Sequence, residues 1–161
     1  MLEDLVHRVG HVPGSIIEIG SWEGRSTVAL ANAAHPRAVH AVDTWEGSPG
    51  EISADLASER DVYATWLANI EELTRGNVID HRMGWREFLP LVDDVALVII
   101  DAEHTYVEVR DNVFAFLPHL VSGGIVCGDD QHHPPIRRAL AEIFDPEYLH
   151  IEASVWWWQK P

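Results

Sequence analysis

Cysteine, basic residues and long apolar runs are all scarce in this sequence of 161 residues. The single cysteine, Cys127, excludes an internal disulfide framework, so a cytoplasmic location is expected. The longest aliphatic run, Val95 to Ile100, is six residues long and is far too short to cross a bilayer. The first residues, Met1 to Leu5, lack the basic and apolar regions of a signal peptide.

Acidic side chains greatly outnumber basic ones. The chain has 26 acidic and 11 basic residues and a net charge of −15. Such a surface repels phosphate backbones and anionic lipids, so neither a nucleic acid nor a membrane is expected as a partner. The charge instead suits a cationic ligand or a metal ion, and we expect a small molecule as the substrate.

Short apolar runs alternate with helical patterns along the chain, which is typical of a doubly wound parallel sheet. The length predicts one domain that spans residues 1–161. The tail, Tyr148 to Lys160, is rich in β-forming residues and follows the last helix without a further crossover. The sequence therefore predicts a Rossmann-like α/β fold, mostly parallel, with a C-terminal antiparallel strand or hairpin. The parallel strands are predicted at Ser15 to Ile19, Arg37 to Val42, Asn77 to Arg82, Val95 to Ile100 and Gly124 to Gly128.

Helix starts and stops can be read between these strands. Thr105 and Glu108 have the spacing of a capping box that opens one helix, and Pro134-Pro135 starts another. Gly76 predicts the end of the helix before the third strand. A brief amphipathic helix is expected before the first strand.

Three consecutive tryptophans, Trp156 to Trp158, occur in the tail. On a strand they would alternate between the two faces of the sheet. They would then pack against helices on both sides, or they would form an exposed aromatic patch for self-association. The sequence leaves the oligomeric state open, a homo-oligomer included.

A glycine-containing loop follows the first strand. Gly20 and Gly24 are separated by three residues, and a helix is expected to begin near Arg25. Glycines let the backbone pass close to a ligand, and a helix N-terminus can receive a carboxylate. A dinucleotide fingerprint would need Gly-x-Gly-x-x-Gly. The different spacing here, with Glu18 two residues before the first glycine, argues against NAD and for S-adenosylmethionine (SAM).

Asp43 stands at the end of the second predicted strand, 23 residues after Gly20. A carboxylate at this position can accept hydrogen bonds from both ribose hydroxyls, each worth roughly 1.5–3 kcal/mol. The alternative is an aspartate that starts a turn before Thr44. Together with the glycine loop, Asp43 resembles motifs I and II of the class I SAM-dependent methyltransferases.

This resemblance implies a set of cofactor-binding residues. Glu18 would hold the loop or the amino group of SAM, and Ser26 would cap the helix or meet the SAM carboxylate. Trp45 and Trp85 are candidates for the adenine pocket, although either could be a core residue. The implied set is Glu18, Gly20, Ser21, Gly24, Ser26, Asp43, Thr44, Trp45, Gly84, Trp85 and Asp101.

Carboxylates follow the fourth and fifth predicted strands. Asp101 ends the fourth strand, and Asp129 and Asp130 follow the fifth. Neighbouring strand ends would bring these three carboxylates together, where they would repel each other without a cation. A hard divalent ion, Mg²⁺ above all, resolves this repulsion because it prefers oxygen ligands. The alternative for the Asp129-Asp130 pair is a solvated turn.

The same residues resemble the metal-dependent O-methyltransferases of the catechol and caffeoyl-CoA type. They are more similar still to the branch with macrolide-sugar O-methyltransferases and cephalosporin-hydroxylase-like proteins, which has Asp-x-x-His after strand four and an acidic pair after strand five. That resemblance implies Asp101, Asp129 and Asp130 as metal ligands and His104 as general base. A histidine at the surface or at a helix cap is the alternative for His104.

The expected function is therefore SAM-dependent O-methylation of a small hydroxylated molecule, namely a vicinal diol, a sugar or a phenol. Two other hypotheses stay open, a SAM- or metal-binding accessory subunit without turnover and a metal-independent methyltransferase. His132 and His133 could supply a fourth metal ligand or belong to a polar loop. The segment Gly47 to Arg60, or a partner subunit, would close the pocket.

Overall fold

Seven strands form one mixed sheet in the computed structural model, which describes residues 1–161. The strands are β1 (Ser15–Ile19), β2 (Val39–Asp43), β3 (Val78–Arg82), β4 (Val95–Ile100), β5 (Leu120–Gly128), β6 (His150–Glu152) and β7 (Val155–Gln159). Their order is β3-β2-β1-β4-β5-β7-β6, and the first five are parallel. β7 runs antiparallel to both β5 and β6. The predicted Rossmann-like fold with a C-terminal antiparallel hairpin is confirmed.

Seven helices connect and flank the strands. They are α1 (Leu2–Arg8), α2 (Arg25–Ala34), α3 (Ile52–Glu59), α4 (Val62–Leu73), α5 (Trp85–Phe88), α6 (Tyr106–Phe116) and α7 (Pro134–Ile143). Thr105 caps α6 as predicted, because its hydroxyl accepts from the backbone N–H of Glu108 at 3.3 Å. α7 begins at Pro134, also as predicted. None of these helices is both long and apolar enough to span a membrane.

Two strands begin at least two residues away from their predicted starts. β5 begins at Leu120 instead of Gly124 because the C-terminal chain pairs with it, with Gly123 N–H donating to the Lys160 carbonyl at 2.8 Å. β2 begins at Val39 because Arg37 belongs to the preceding turn, where its N–H donates to Ala34 O at 2.9 Å. A long-range hydrogen bond therefore accompanies the early start of β5, whereas a local turn delays the start of β2.

The core has two layers, one on each face of the sheet. Successive strand residues point to opposite faces, so Ile16 and Ile17 belong to different buried clusters. Trp156 and Trp157 are divided in the same way, and Trp158 packs against the layer of Trp156. The tryptophans of the tail therefore pack on both faces, the first of the two alternatives.

The strand order reverses direction between β1 and β4, which lie side by side in the centre of the sheet. In open α/β sheets, ligands bind at such a switch point, outside the carboxyl ends of the strands. The loop after Ile19 and the polar residues after Ile100 meet at this edge. The fold thus brings the two predicted functional regions together.

The two phenylalanines of α6 provide a test of this core. Phe116 is fully buried, whereas Phe114, on the same helix, is 54% exposed. We expect Phe116→Ala to lower the free energy of unfolding by about 3–5 kcal/mol because it leaves a cavity. Phe114→Ala is the matched control and should stay within about 0.5 kcal/mol of the original chain. Urea unfolding measures both, and equal losses would contradict the packing described.

Candidate functional site at the carboxyl edge of the sheet

The loop from Gly20 to Gly24 connects β1 to α2 and lies against the end of β4. Gly20 has φ +90°, and a Cβ at this position would be 2.2 Å from the carbonyl oxygen of Asp101. Only glycine fits such a close backbone approach in a left-handed conformation. The predicted glycine loop therefore forms a tight contact with the neighbouring strand end.

Glu18 lies beneath this loop and is fully buried. Its Oε2 accepts hydrogen bonds from the hydroxyls of Ser21, at 2.7 Å, and Thr27, while Oε1 has no partner. Burial raises the pKa of Glu18 above its ordinary value, the neighbouring hydroxyls oppose this shift, and Asp43 adds to it. Of the two roles considered for Glu18, the structure places it where it holds the loop.

Asp43, at the end of β2, is also hydrogen-bonded to the loop. Its Oδ2 accepts from the backbone N–H groups of Ser21 and Trp22, each at 2.8 Å. Its Oδ1 accepts from Trp45 N–H at 2.7 Å. A carboxylate has about four acceptor positions, so about one is left for a ligand. The expectation that Asp43 accepts hydrogen bonds from both ribose hydroxyls stays a prediction. It would require one of the three backbone hydrogen bonds to Asp43 to break.

Two clefts open on either side of the loop. The first cleft has a volume of about 490 Å³ and the second cleft about 780 Å³. Gly20, Trp22 and Asp101 line both of them. Of the other predicted cofactor residues, the first cleft contains Asp43, Thr44, Gly84 and Trp85, and the second contains Ser21 and Ser26.

Three predicted cofactor residues, Glu18, Gly24 and Trp45, line neither cleft. Trp45 is 4% exposed and packs between Tyr63 and Trp66, with ring centroids 4.7 and 4.9 Å away. It is therefore a core residue, one of the two alternatives that the sequence left open. Gly24 immediately precedes α2, and a Cβ at this position would lie 3.0 Å from Cδ1 of Trp66.

Of the four residues predicted as metal ligands or general base, two carboxylates and one imidazole lie close together. Donor atoms of Asp101, His104 and Asp130 all lie within 4.8 Å of one another. Asp129 does not belong to this group, because it lines the second cleft and its Oδ1 accepts the Asp130 N–H at 2.7 Å. Its charge nevertheless acts on Asp101, and the expectation that Asp129 binds a metal stays a prediction. Asp130 adopts the left-handed conformation, with φ +56°, so the chain turns after Asp129 and the two side chains line different clefts.

Burial raises the pKa of Asp101 to about 7, and the charges of Asp129 and Glu18 add to the shift. Its carboxyl group is thus partly protonated near neutral pH in the protein alone. Like charges in a poorly hydrated site disfavour the ionised form. A nearby cation would reverse this effect.

His104 lies between two carboxylates. Its Nδ1 is 3.2 Å from Glu51 Oε1, and its backbone N–H donates to the same oxygen at 3.4 Å. On the other side, Nε2 is 3.1 Å from Asp130 Oδ2, but it is buried and has no partner with hydrogen-bond geometry. Sequence reasoning missed Glu51, which immediately precedes α3, because that segment was expected only to cover the pocket.

The outer part of the first cleft is acidic. It includes Glu103 and Glu108, and its one arginine, Arg86, pairs with Glu108 through two contacts of 2.8 and 3.0 Å. Burial raises the pKa of Glu103, and the charges of Glu108 and Glu51 add to the shift, while Arg86 opposes it. Trp85 donates to Glu108 at 3.0 Å and lies beneath the Arg86 guanidinium.

Comparison with known proteins identifies related sequences. A family model described as a methyltransferase domain matches residues 17–131. The chain is 26% identical over 186 aligned positions to demethyldecarbamoylnovobiocin O-methyltransferase from Streptomyces niveus, covering 99% of this chain and 70% of that protein.

Solved structures share the fold. The O-methyltransferase NovP superimposes with a TM-score of 0.73 at 23% identity, covering 99% of this chain and 78% of that one. TomG from Streptomyces achromogenes, an O-methyltransferase involved in tomaymycin synthesis and solved in complex with SAM, gives a TM-score of 0.67 at 15% identity, covering 99% and 79%. At these identities the superpositions establish the common fold.

Gly20 and Gly50 form a matched pair for testing the loop. Both have positive φ, but a Cβ on Gly50 would meet no atom within 4 Å. Gly50→Ala should therefore cost only the conformational penalty, about 1–2 kcal/mol. Gly20→Ala should cost at least about 1–3 kcal/mol more in unfolding free energy, because backbone must move to admit the methyl group. Urea unfolding of both variants checks this, and equal costs would argue against the close approach to Asp101.

Proposed function

This chain belongs to a family of methyltransferase domains and is a class I SAM-dependent methyltransferase, and from this premise we propose that it O-methylates a small hydroxylated molecule with the help of a divalent metal ion. The acceptor is a vicinal diol, a sugar or a phenol. The observation that carries the proposal is the first cleft, which extends from Gly20 and Asp43 to the group of Asp101, His104 and Asp130. The O-methyltransferase from Streptomyces niveus supports the reaction class.

The cofactor would occupy the two sides of the glycine loop. Asp43, Thr44, Gly84 and Trp85 would bind the nucleoside end, where Trp85 offers an aromatic face and Asp43 offers its remaining acceptor position. Ser21 and Ser26 line the second cleft and are proposed to bind the methionine end. SAM supplies an electrophilic methyl group at its sulfonium centre.

The residues present fit a divalent cation. Asp101 and Asp130 offer carboxylate oxygens, and the buried Nε2 of His104 points to the same group without a hydrogen-bonded partner. We propose Asp101 and Asp130 as ligands, with Asp129 contributing charge from the adjoining cleft. A bound Mg²⁺ would lower the pKa of an acceptor hydroxyl and orient it.

His104 is proposed as the general base. An imidazole titrates near neutrality and can remove the proton of a hydroxyl held beside it. Nδ1 faces Glu51, so a hydrogen bond from Nδ1–H to Glu51 leaves the lone pair of Nε2 directed toward Asp130 and the cleft. His104 can then accept a proton at Nε2 while Glu51 stabilises the resulting imidazolium.

Cofactor affinity should depend on Asp43. We expect Asp43→Ala to weaken binding of S-adenosylhomocysteine by at least about tenfold, because a charge-assisted hydrogen bond is lost. Isothermal titration calorimetry measures the affinity. Asp80→Ala, which removes an exposed carboxylate from the neighbouring strand β3, is the control and should bind as the original chain does.

Asp43→Ala also loses hydrogen bonds to the loop, so its urea unfolding should be measured in parallel. An affinity equal to that of the original chain would remove Asp43 from the cofactor site.

Turnover should require both a cation and His104. With SAM, Mg²⁺ and a panel of catechols, sugars and vicinal diols, formation of S-adenosylhomocysteine should be abolished by EDTA and restored by excess Mg²⁺. On any acceptor so identified, we expect His104→Gln to reduce kcat by about 10²–10⁴-fold, the usual contribution of a general base. Its affinity for S-adenosylhomocysteine should stay unchanged.

His7→Gln, which alters an exposed histidine of α1, is the matched control. Full turnover by His104→Gln would disprove the base assignment. Turnover that persists in EDTA would favour a metal-independent methyltransferase.

A further inference from the structure

The loop between β5 and α7 carries two histidines that the proposed methyl transfer does not use. Donor atoms of Asp130, His132 and His133 all lie within 4.8 Å of one another. We propose that these three residues form a second cation site, which takes a first-row transition ion of the Zn²⁺ type and discriminates against Mg²⁺. Asp130 is shared with the group described above, whereas the two imidazoles belong to this site alone.

The orientation of the Asp130 side chain allows one of its oxygens to bind an ion together with the two histidines. Its Oδ2 faces His104, but its Oδ1 lies 3.7 Å from His132 Nε2. Asp130 adopts the left-handed conformation, with φ +56°, which a residue other than glycine rarely adopts. The two oxygens of the Asp130 carboxylate thus face two different histidines, Oδ2 facing His104 and Oδ1 facing His132.

The imidazoles are close enough to bind one ion together. The rings of His132 and His133 have centroids 4.5 Å apart and are inclined by 59°. Tilted rings can direct a nitrogen from each toward a common point, as a tetrahedral ion requires. Both side chains are exposed, so an ion from solution can reach them.

The loop is held in place at both ends. Gln131 N–H donates to the Ser154 carbonyl at 3.1 Å, and its side chain donates to Ala153 O at 3.2 Å, which ties the loop to the β6–β7 turn. His133 N–H donates to Asp130 O at 2.9 Å and immediately precedes the first turn of α7. The donors are thus largely pre-positioned, which lowers the entropic cost of binding.

The donor chemistry selects the ion. Imidazole nitrogen suits zinc, copper and nickel, whereas magnesium prefers an octahedral shell of oxygens at 2.0–2.1 Å. Two nitrogens and one carboxylate oxygen match the three protein ligands of an open zinc site, with the fourth position left to water. The overall charge of −15 favours any cation.

The test titrates ZnCl₂ alone into the tag-free chain, without SAM, by isothermal titration calorimetry. We expect binding that a hundredfold excess of Mg²⁺ does not displace. We expect the double variant His132→Ala, His133→Ala to bind Zn²⁺ at least about 10–100-fold more weakly. A residue that only hydrogen-bonds to a metal ligand already contributes this much affinity, and the two histidines are proposed to bind the ion directly. These exposed loop residues can be replaced without disturbing the core.

Two controls locate the ion. His7→Ala, His35→Ala removes two other exposed histidines and should bind Zn²⁺ as the original chain does. His104→Ala should also retain binding, because His104 belongs only to the first group. A double variant that binds Zn²⁺ normally, loss of binding in His104→Ala, or displacement by Mg²⁺ would each overturn the proposal. Absence of methyl transfer would affect the proposed function but leave this result unchanged.

Discussion

The carboxylate of Asp43 determines the shape of the candidate site. It receives three backbone N–H groups, two from the loop after β1 and one from Trp45, and so fastens the ends of two adjacent strands to each other. Glu18 supports the same loop from below through the hydroxyls of Ser21 and Thr27. These hydrogen bonds hold Gly20 against the end of β4, and the boundary between the two clefts follows from that contact.

Uncompensated negative charge is the second constraint on this edge of the sheet. Burial and the neighbouring acids hold the pKa of Asp101 near 7, and the one arginine of the first cleft is already paired with Glu108. A divalent ion beside Asp101 and Asp130 would relieve this repulsion, and so would a cationic group on a ligand. The methyl donor itself carries a positive sulfonium. The acidic edge therefore suits the class of reaction that the family performs.

Local patterns in the sequence were enough to predict the fold and the edge of the sheet at which the candidate residues lie. β1 and β4 occur at their predicted bounds, since buried strands are continuous apolar runs with clear ends. Parallel strands place their carboxyl ends at one edge, so Asp43, Asp101, Asp129 and Asp130 were all expected at that edge. The sequence patterns did not predict α3, a short helix that buries none of its residues. Glu51 was missed with it.

By itself, the sequence determined the order of elements, the glycine loop and the residue types available for chemistry, because these depend on neighbours a few positions away. Only the tertiary structure decided which side chains meet. It buried Trp45, separated Asp129 from Asp130, and placed Glu51 against His104 across 53 residues of chain. Such contacts depend on backbone conformation and on packing between distant segments, and neither is encoded in local spacing.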